Sequence, residues 1–145
     1  CVEALSKHKN IRALKEASGS ISYAAKVARY ITPDFELLSG NDDMIVPIMS
    51  LGGSGVISVW ANICPAQTAA LVNACLKGDY REGARLQLKY LDLINALFIE
   101  VNPIPVKEAM NMLGMEVGGY RLPLCPMDPA NRDKLSKAME VLKGV

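Results

Sequence analysis

Asn10-Ile11-Arg12-Ala13-Leu14-Lys15-Glu16-Ala17-Ser18-Gly19 is the stretch that decides the fold. The two-residue period of a strand puts Ile11, Ala13 and Lys15 on one face and Leu14 on the other. The strand runs from Ile11 to Lys15, and Glu16 to Ser20 is a small-residue loop. Lysine is seldom fully buried without a partner. An amine held among small or apolar neighbours can lose its proton, and only the neutral amine attacks a carbonyl to form a Schiff base. The plainer account is a lysine that snorkels to solvent at a strand end. Taken alone, the stretch favours that plainer account, and the flanking sequence decides otherwise.

Ser20 is placed to cap a helix over Ile21–Tyr30, which Thr32-Pro33-Asp34 ends because proline disfavours helix in the residue before it. Phe35 to Ser39 reads as a second strand stopping at Gly40. Asn41 or Asp42 then caps a helix from Asp43 to about Met49, and acids suit a helix start. Capping therefore ranks above a catalytic carboxylate pair. Leu51-Gly52-Gly53-Ser54-Gly55 leads to a third strand, Val56 to Trp60. Phosphate-binding glycine turns follow a strand and open a helix, whereas this cluster precedes a strand, so it reads as a helix-ending turn. Pro65 fits the first turn of a helix over Gln67–Leu76, ended by Lys77-Gly78.

The first half thus alternates strand and helix three times, as in parallel α/β units. Right-handed crossovers lay the strands side by side, and α/β enzymes place their sites at the C-terminal strand ends. From Asp79 no strand is expected. Arg81 to Glu100 reads as one long helix with Ala84, Leu88, Leu91, Leu97 and Phe98 on one side. Asn102-Pro103-Ile104-Pro105 breaks it, and Val106–Met112 is the next helix. Arg121 to Pro126 is extended, and Asp128-Pro129 opens a last helix to about Leu142. At the other end, Val2 to Lys9 is the end of a helix. His8, the only histidine, is a solvated or capping residue.

The 145 residues are half hydrophobic and 21% charged, which is a globular composition, and net charge is +1. No basic patch stands out, so nucleic acid is not an expected partner. No apolar run reaches membrane-span length and no signal peptide opens the chain, so no membrane partner is expected. Cys1, Cys64, Cys75 and Cys125 are widely and irregularly spaced, without a zinc signature. The three non-terminal cysteines are expected to be buried free thiols, and the location cytoplasmic. The chain begins with Cys1, so it is expected to be a segment of a longer polypeptide. Three parallel strands also leave two open edges, to be completed by residues outside this sequence or by a second chain.

Six motifs, in order and spacing, resemble the C-terminal half of the pyruvate-dependent class I aldolases typified by dihydrodipicolinate synthase. They are residues 11–19, Leu37-Leu38-Ser39-Gly40-Asn41-Asp42, Leu51-Gly52-Gly53-Ser54-Gly55-Val56-Ile57-Ser58-Val59, Ala61-Asn62, Asn102-Pro103-Ile104-Pro105-Val106-Lys107 and Arg121-Leu122-Pro123-Leu124. The resemblance implies an α/β fold, the C-terminal part of a (β/α)8 TIM barrel (strands six to eight) followed by a C-terminal helical domain. Residues 1–78 would be the last three βα units and residues 79–145 the helical domain. The family's catalytic tyrosine, threonine pair, carboxylate-binding arginine and lysine-inhibitor site would lie in the absent half.

By the same likeness Lys15 is the Schiff-base residue, and burial is the usual means of keeping such an amine neutral. Gly40 lets substrate approach the backbone, and the Ile57 backbone lines the pyruvate pocket. Asn41 and Asp42 are candidates for the acceptor side, where the family more often has two acids. The implied reaction condenses pyruvate with aspartate 4-semialdehyde, in the diaminopimelate route to lysine. The lysine is the electron sink, so no metal or organic cofactor is expected. A homo-oligomer, usually a tetramer, is implied, and the partner of this segment is the N-terminal half of the same enzyme. Alone, the segment is expected to be inactive. The alternatives are a keto-deoxy sugar acid aldolase, an N-acetylneuraminate lyase, or a non-catalytic scaffold piece. The mostly apolar Val56–Trp60 stretch speaks against a sugar acceptor.

Overall fold

The structure, a computed structural model, describes residues 1–143. The last two residues of the 79–145 unit lie outside the described residues. Strands β1 (Ala13–Glu16), β2 (Glu36–Ser39) and β3 (Gly55–Val56) form a parallel sheet in that order. Helix α1 (Val2–Leu5) precedes the sheet, and α2 (Ile21–Ala28) and α3 (Ile45–Ser50) are the crossovers. Ser20 caps α2 as its sequence implies, its side chain accepting from the Tyr23 N–H. The Gly52 turn after α3 has φ +93, which only glycine adopts without strain.

The register pairs Leu14 with Leu37, Lys15 with Leu38, and Leu38 with Gly55. Leu14, Glu16, Leu37 and Ser39 therefore face the crossover helices. There Leu37 joins Ala24, Val27 and Ile48 in a small core, with Leu14 packed against it. Ala13, Lys15, Leu38 and Gly55 share the opposite face. Among the described residues no helix covers the residues of β1 on that face, and Ala13 and Lys15 are exposed.

The rest is helical: α4 (Pro65–Leu76), α5 (Tyr80–Lys89), α6 (Leu91–Ala96), α7 (Ile104–Met112) and α8 (Pro129–Ala138). Their large core includes Trp60, Leu71, Tyr90, Leu93, Leu97, Ile104 and Leu135, and it takes Ile45 and Met49 from α3. The core thus draws on both sides of residue 78. Pro65 occupies the first turn of α4, and the Asp128 side chain caps α8 by accepting from the N–H groups of Ala130 and Asn131.

Five sequence expectations give way here. The third strand stops at Val56 instead of Trp60, because Trp60 leaves the sheet to start a 3-10 turn (Trp60–Asn62). Its fully buried indole stacks on Tyr90 at 5.2 Å between centroids. The long helix is two helices, parted at Tyr90, whose φ of −104 and ψ of 7 leave helical geometry while its ring anchors in the core. Leu88 and Phe98, expected on the apolar side, are exposed, whereas Leu97 is buried. Glu16 belongs to the strand and is buried, not part of the loop. Cys125 is exposed, while Cys64 and Cys75 are buried as expected. Burial pushes both of those thiols up, which keeps them protonated and unreactive.

The segment from Leu113 to Met127 has no regular structure and is held by side chains. The Tyr120 hydroxyl donates to Glu108 on α7 at 2.9 Å, and Arg132 on α8 donates to the other Glu108 oxygen at 2.7 Å. The Arg132 hydrogen bond holds Glu108 below the usual carboxylate range. Burial, and then the bond to Glu108, pushes Tyr120 up to about 12. The Glu108 contribution to stability is full at neutral pH and lost as pH falls through the ordinary carboxylate range to the lowered folded value. The Tyr120 contribution is full below pH 10 and lost as pH rises toward 12. Glu108→Gln should therefore flatten the acid limb of the stability–pH curve, and Tyr120→Phe the alkaline limb, in denaturant titrations across pH. Trp60→Ala should cost about 3–5 kcal/mol in the same assay, the usual range for truncating a buried tryptophan.

Candidate functional site

Three strand ends meet at one edge of the sheet. Lys15 is the penultimate residue of β1, Gly40 follows β2, and Ile57 follows β3. The Gly40 N–H donates to the Glu16 carbonyl at 2.6 Å, and the Ile57 N–H donates to the Ser39 carbonyl at 2.8 Å. These bonds extend the parallel ladder by one step beyond the strands and hold the three ends in line. Lys15, Gly40 and Ile57, singled out from the sequence, are thereby brought together.

Gly40 is glycine for want of space. A Cβ there would lie 2.6 Å from the Ala17 Cβ, 2.9 Å from the Lys15 Cε and 3.0 Å from the Glu16 carbonyl oxygen. The lysine stem thus passes directly over the Gly40 backbone. Lys15 is exposed, against the expectation that burial surrounds it. The reason is the uncovered face: the crossover helices α2 and α3 pack on the other one. Among the described residues Lys15 makes no ion pair. Ile57 is 46% exposed, giving the edge an apolar border.

Asn41 and Asp42 do not behave as helix caps. Asn41 sits at the start of a 3-10 turn (Asp42–Met44) without a side-chain capping bond. Its backbone is fixed instead by Ser39, whose hydroxyl donates to the Asn41 carbonyl at 2.8 Å. Asp42 is 1% exposed, and its Oδ2 accepts from the N–H groups of Val59 and Trp60, both at 2.9 Å. The carboxylate thus bridges from β2 to the chain leaving β3. Asp43 is exposed.

Two contributors were missed by sequence reasoning. Glu16 turns away from Lys15 and accepts from the Ser18 N–H at 2.8 Å, shaping the loop after β1. Ser39 is fully buried and shapes the loop after β2. The two-residue period that puts Glu16 with Leu14 was the available signal for the first. No comparable signal marks Ser39.

A surface cleft of about 620 Å³ lies between α6 and α8 and contains none of these residues. Among the described residues no group of three His, Cys, Asp or Glu side chains is arranged to hold a metal. No helix among them is long and apolar enough to cross a membrane.

Residues 1–142 match the model of the dihydrodipicolinate synthetase family. A 4-hydroxy-tetrahydrodipicolinate synthase of Caldicellulosiruptor saccharolyticus is 57% identical over 135 residues, covering 93% of this chain and 45% of that enzyme. One from Clostridium novyi is 48% identical over 131 residues, covering 90% and 44%. Among solved structures, dihydrodipicolinate synthase from Aquifex aeolicus superposes with a TM-score of 0.92 at 38% identity, over 98% of this chain and 48% of that one. Its counterpart from Thermotoga maritima gives 0.91 at 32%, over 96% and 48%. The chain spans about half the length of the curated relatives it matches.

Gly40→Ala should lower stability by about 1–3 kcal/mol, as overpacking does. Urea unfolding of the variant beside the parent measures it, and an unchanged midpoint would show that the loop yields freely.

Proposed function

The chain belongs to the dihydrodipicolinate synthetase family, and from that premise we propose that it is the C-terminal part of a 4-hydroxy-tetrahydrodipicolinate synthase. In this reading the full protein condenses pyruvate with aspartate 4-semialdehyde, in the diaminopimelate route to lysine. It works in the cytoplasm as a homotetramer without metal or organic cofactor. The strands β1 to β3 are strands six to eight of a (β/α)8 barrel. Residues 1–78 form its last three βα units and residues 79–145 a helical domain.

The arrangement of faces supports this. A barrel keeps its helices outside and its inward residues toward the axis, with the site at the C-terminal strand ends. Here the crossover helices cover one face only, and Lys15 emerges on the other, at that end. The observation that carries the reading is the closeness of the Lys15 stem to Gly40, where a Cβ would meet the Lys15 Cε at 2.9 Å. It leaves the amine beside an edge where a small keto acid can approach main chain.

The chemistry follows from the amine. The Lys15 nitrogen adds to the keto carbon of pyruvate, and loss of one water gives a protonated imine. That cation draws electrons from the methyl group, which gives up a proton to become the enamine carbon. The enamine attacks the aldehyde carbon of the acceptor, a new C–C bond forms, and the aldehyde oxygen takes a proton. The acceptor's own amine then adds to the imine carbon and expels Lys15, closing the ring and restoring the free amine. The Ile57 backbone lines the keto acid pocket. Asn41, half-buried beside Gly40, stands on the acceptor side, where Asp42 is the other candidate. The apolar Ile57 border suits a short semialdehyde better than a polyhydroxylated sugar.

Reduction of the full-length protein with borohydride in the presence of pyruvate should leave one adduct, which peptide mapping places on Lys15. Lys15→Arg should abolish it, since a guanidinium does not form the imine. An adduct elsewhere, or none in folded protein, would sink the lyase reading.

A further inference from the structure

Ile57 and Ser58 lie between two anchors. Before them the Ile57 N–H is bound to the Ser39 carbonyl, and after them the N–H groups of Val59 and Trp60 are bound to Asp42. The ladder between β2 and β3 covers only two residue pairs. Past that point, sheet pairing no longer dictates where the main chain goes. The second anchor comes from a carboxylate 1% exposed, in a position where an ionised group is costly unless donors meet it. One oxygen, Oδ2, takes both donors, and Oδ1 has no partner among the described residues. The carboxylate is held by two backbone donors on one oxygen. It sets, by its reach from β2, the path of the two residues after β3.

We propose that Asp42 is a positioning residue for keto acid binding: it fixes the Ile57–Ser58 main chain beside Gly40, whose strand β2 lies between β3 and the strand that carries Lys15, and does not itself hold the acceptor. The inference rests on the lyase reading above and deepens it. The effect passes through the backbone, so it depends on the carbonyl-type oxygen of residue 42 and not on its charge. Asparagine keeps an oxygen that can accept the same two N–H groups, while alanine has none.

The test compares Asp42→Ala and Asp42→Asn in the full-length enzyme, with Asp43→Asn, an exposed neighbour, as the charge control. Asp42→Ala should raise the pyruvate concentration for half-maximal borohydride trapping by about tenfold or more, the scale expected when a pocket wall moves. At saturating pyruvate the adduct should still form on Lys15, so KM moves far more than kcat. Asp42→Asn should stay within about threefold of the parent, and hydrogen exchange at the Val59 and Trp60 amides should speed up in the alanine variant alone. Unchanged pyruvate dependence in Asp42→Ala overturns the proposal. So does a rise confined to the acceptor KM in both variants, which would make Asp42 an acceptor ligand. If Asp42→Ala does not fold, Asp42→Asn decides: slow exchange at both amides with parent-like pyruvate dependence supports the proposal, and fast exchange with parent-like dependence overturns it. A parent enzyme that traps no pyruvate overturns the lyase reading itself, which is a different result from a trapping parent with an indifferent Asp42.

Discussion

A buried carboxylate must be met by donors, and Asp42 meets two of them on the chain that leaves β3. Much of the local architecture follows from that one bond pair. The N–H groups of Val59 and Trp60 are spent on Asp42, so they are not available to a sheet ladder, and β3 ends at Val56. The chain then turns through Trp60–Asn62 and delivers the indole of Trp60 to the helical core. One side chain thus ties the sheet edge that carries Lys15 to the packing of the helices.

The two sides of the sheet obey different constraints. The helix-facing side is satisfied within the chain, by Leu37 packed with Ala24, Val27 and Ile48. The other side carries Ala13, Lys15 and Leu38 and owes its surroundings to whatever else is assembled against it. Close approach is the rule at its end, since the Lys15 stem and Ala17 leave no room for a Cβ at residue 40. The exposure of Lys15 in this chain is compatible with the role proposed for it.

The sequence made the alternation of strands and helices legible because period-two and helical patterns are local, and so are the Ser20, Pro65 and Asp128 helix starts. Lys15, Gly40 and Ile57 were singled out through the resemblance of their motifs to a known family, and the sheet does bring their strand ends to one edge. The failures came where a distant partner overrides a local signal. Val56 to Trp60 is rich in β-branched residues, yet Trp60 is claimed by Tyr90, thirty positions on. Arg81 to Glu100 has no proline, and its one glycine, Gly83, lies within a helix, yet it parts at Tyr90, whose ring is buried in the same core. Asp42 stands where caps usually stand, and only the fold shows that its donors lie 17 and 18 residues away.

The large core is closed within residues 45 to 139, and β1 and α2 contribute nothing to it. Local opening free energies follow such divisions, with segments outside the main core opening first. By that rule the strand that carries Lys15 is expected to open before the helical body does. Order at the amine is borrowed from neighbouring strands, whereas order in the helical body is intrinsic to it.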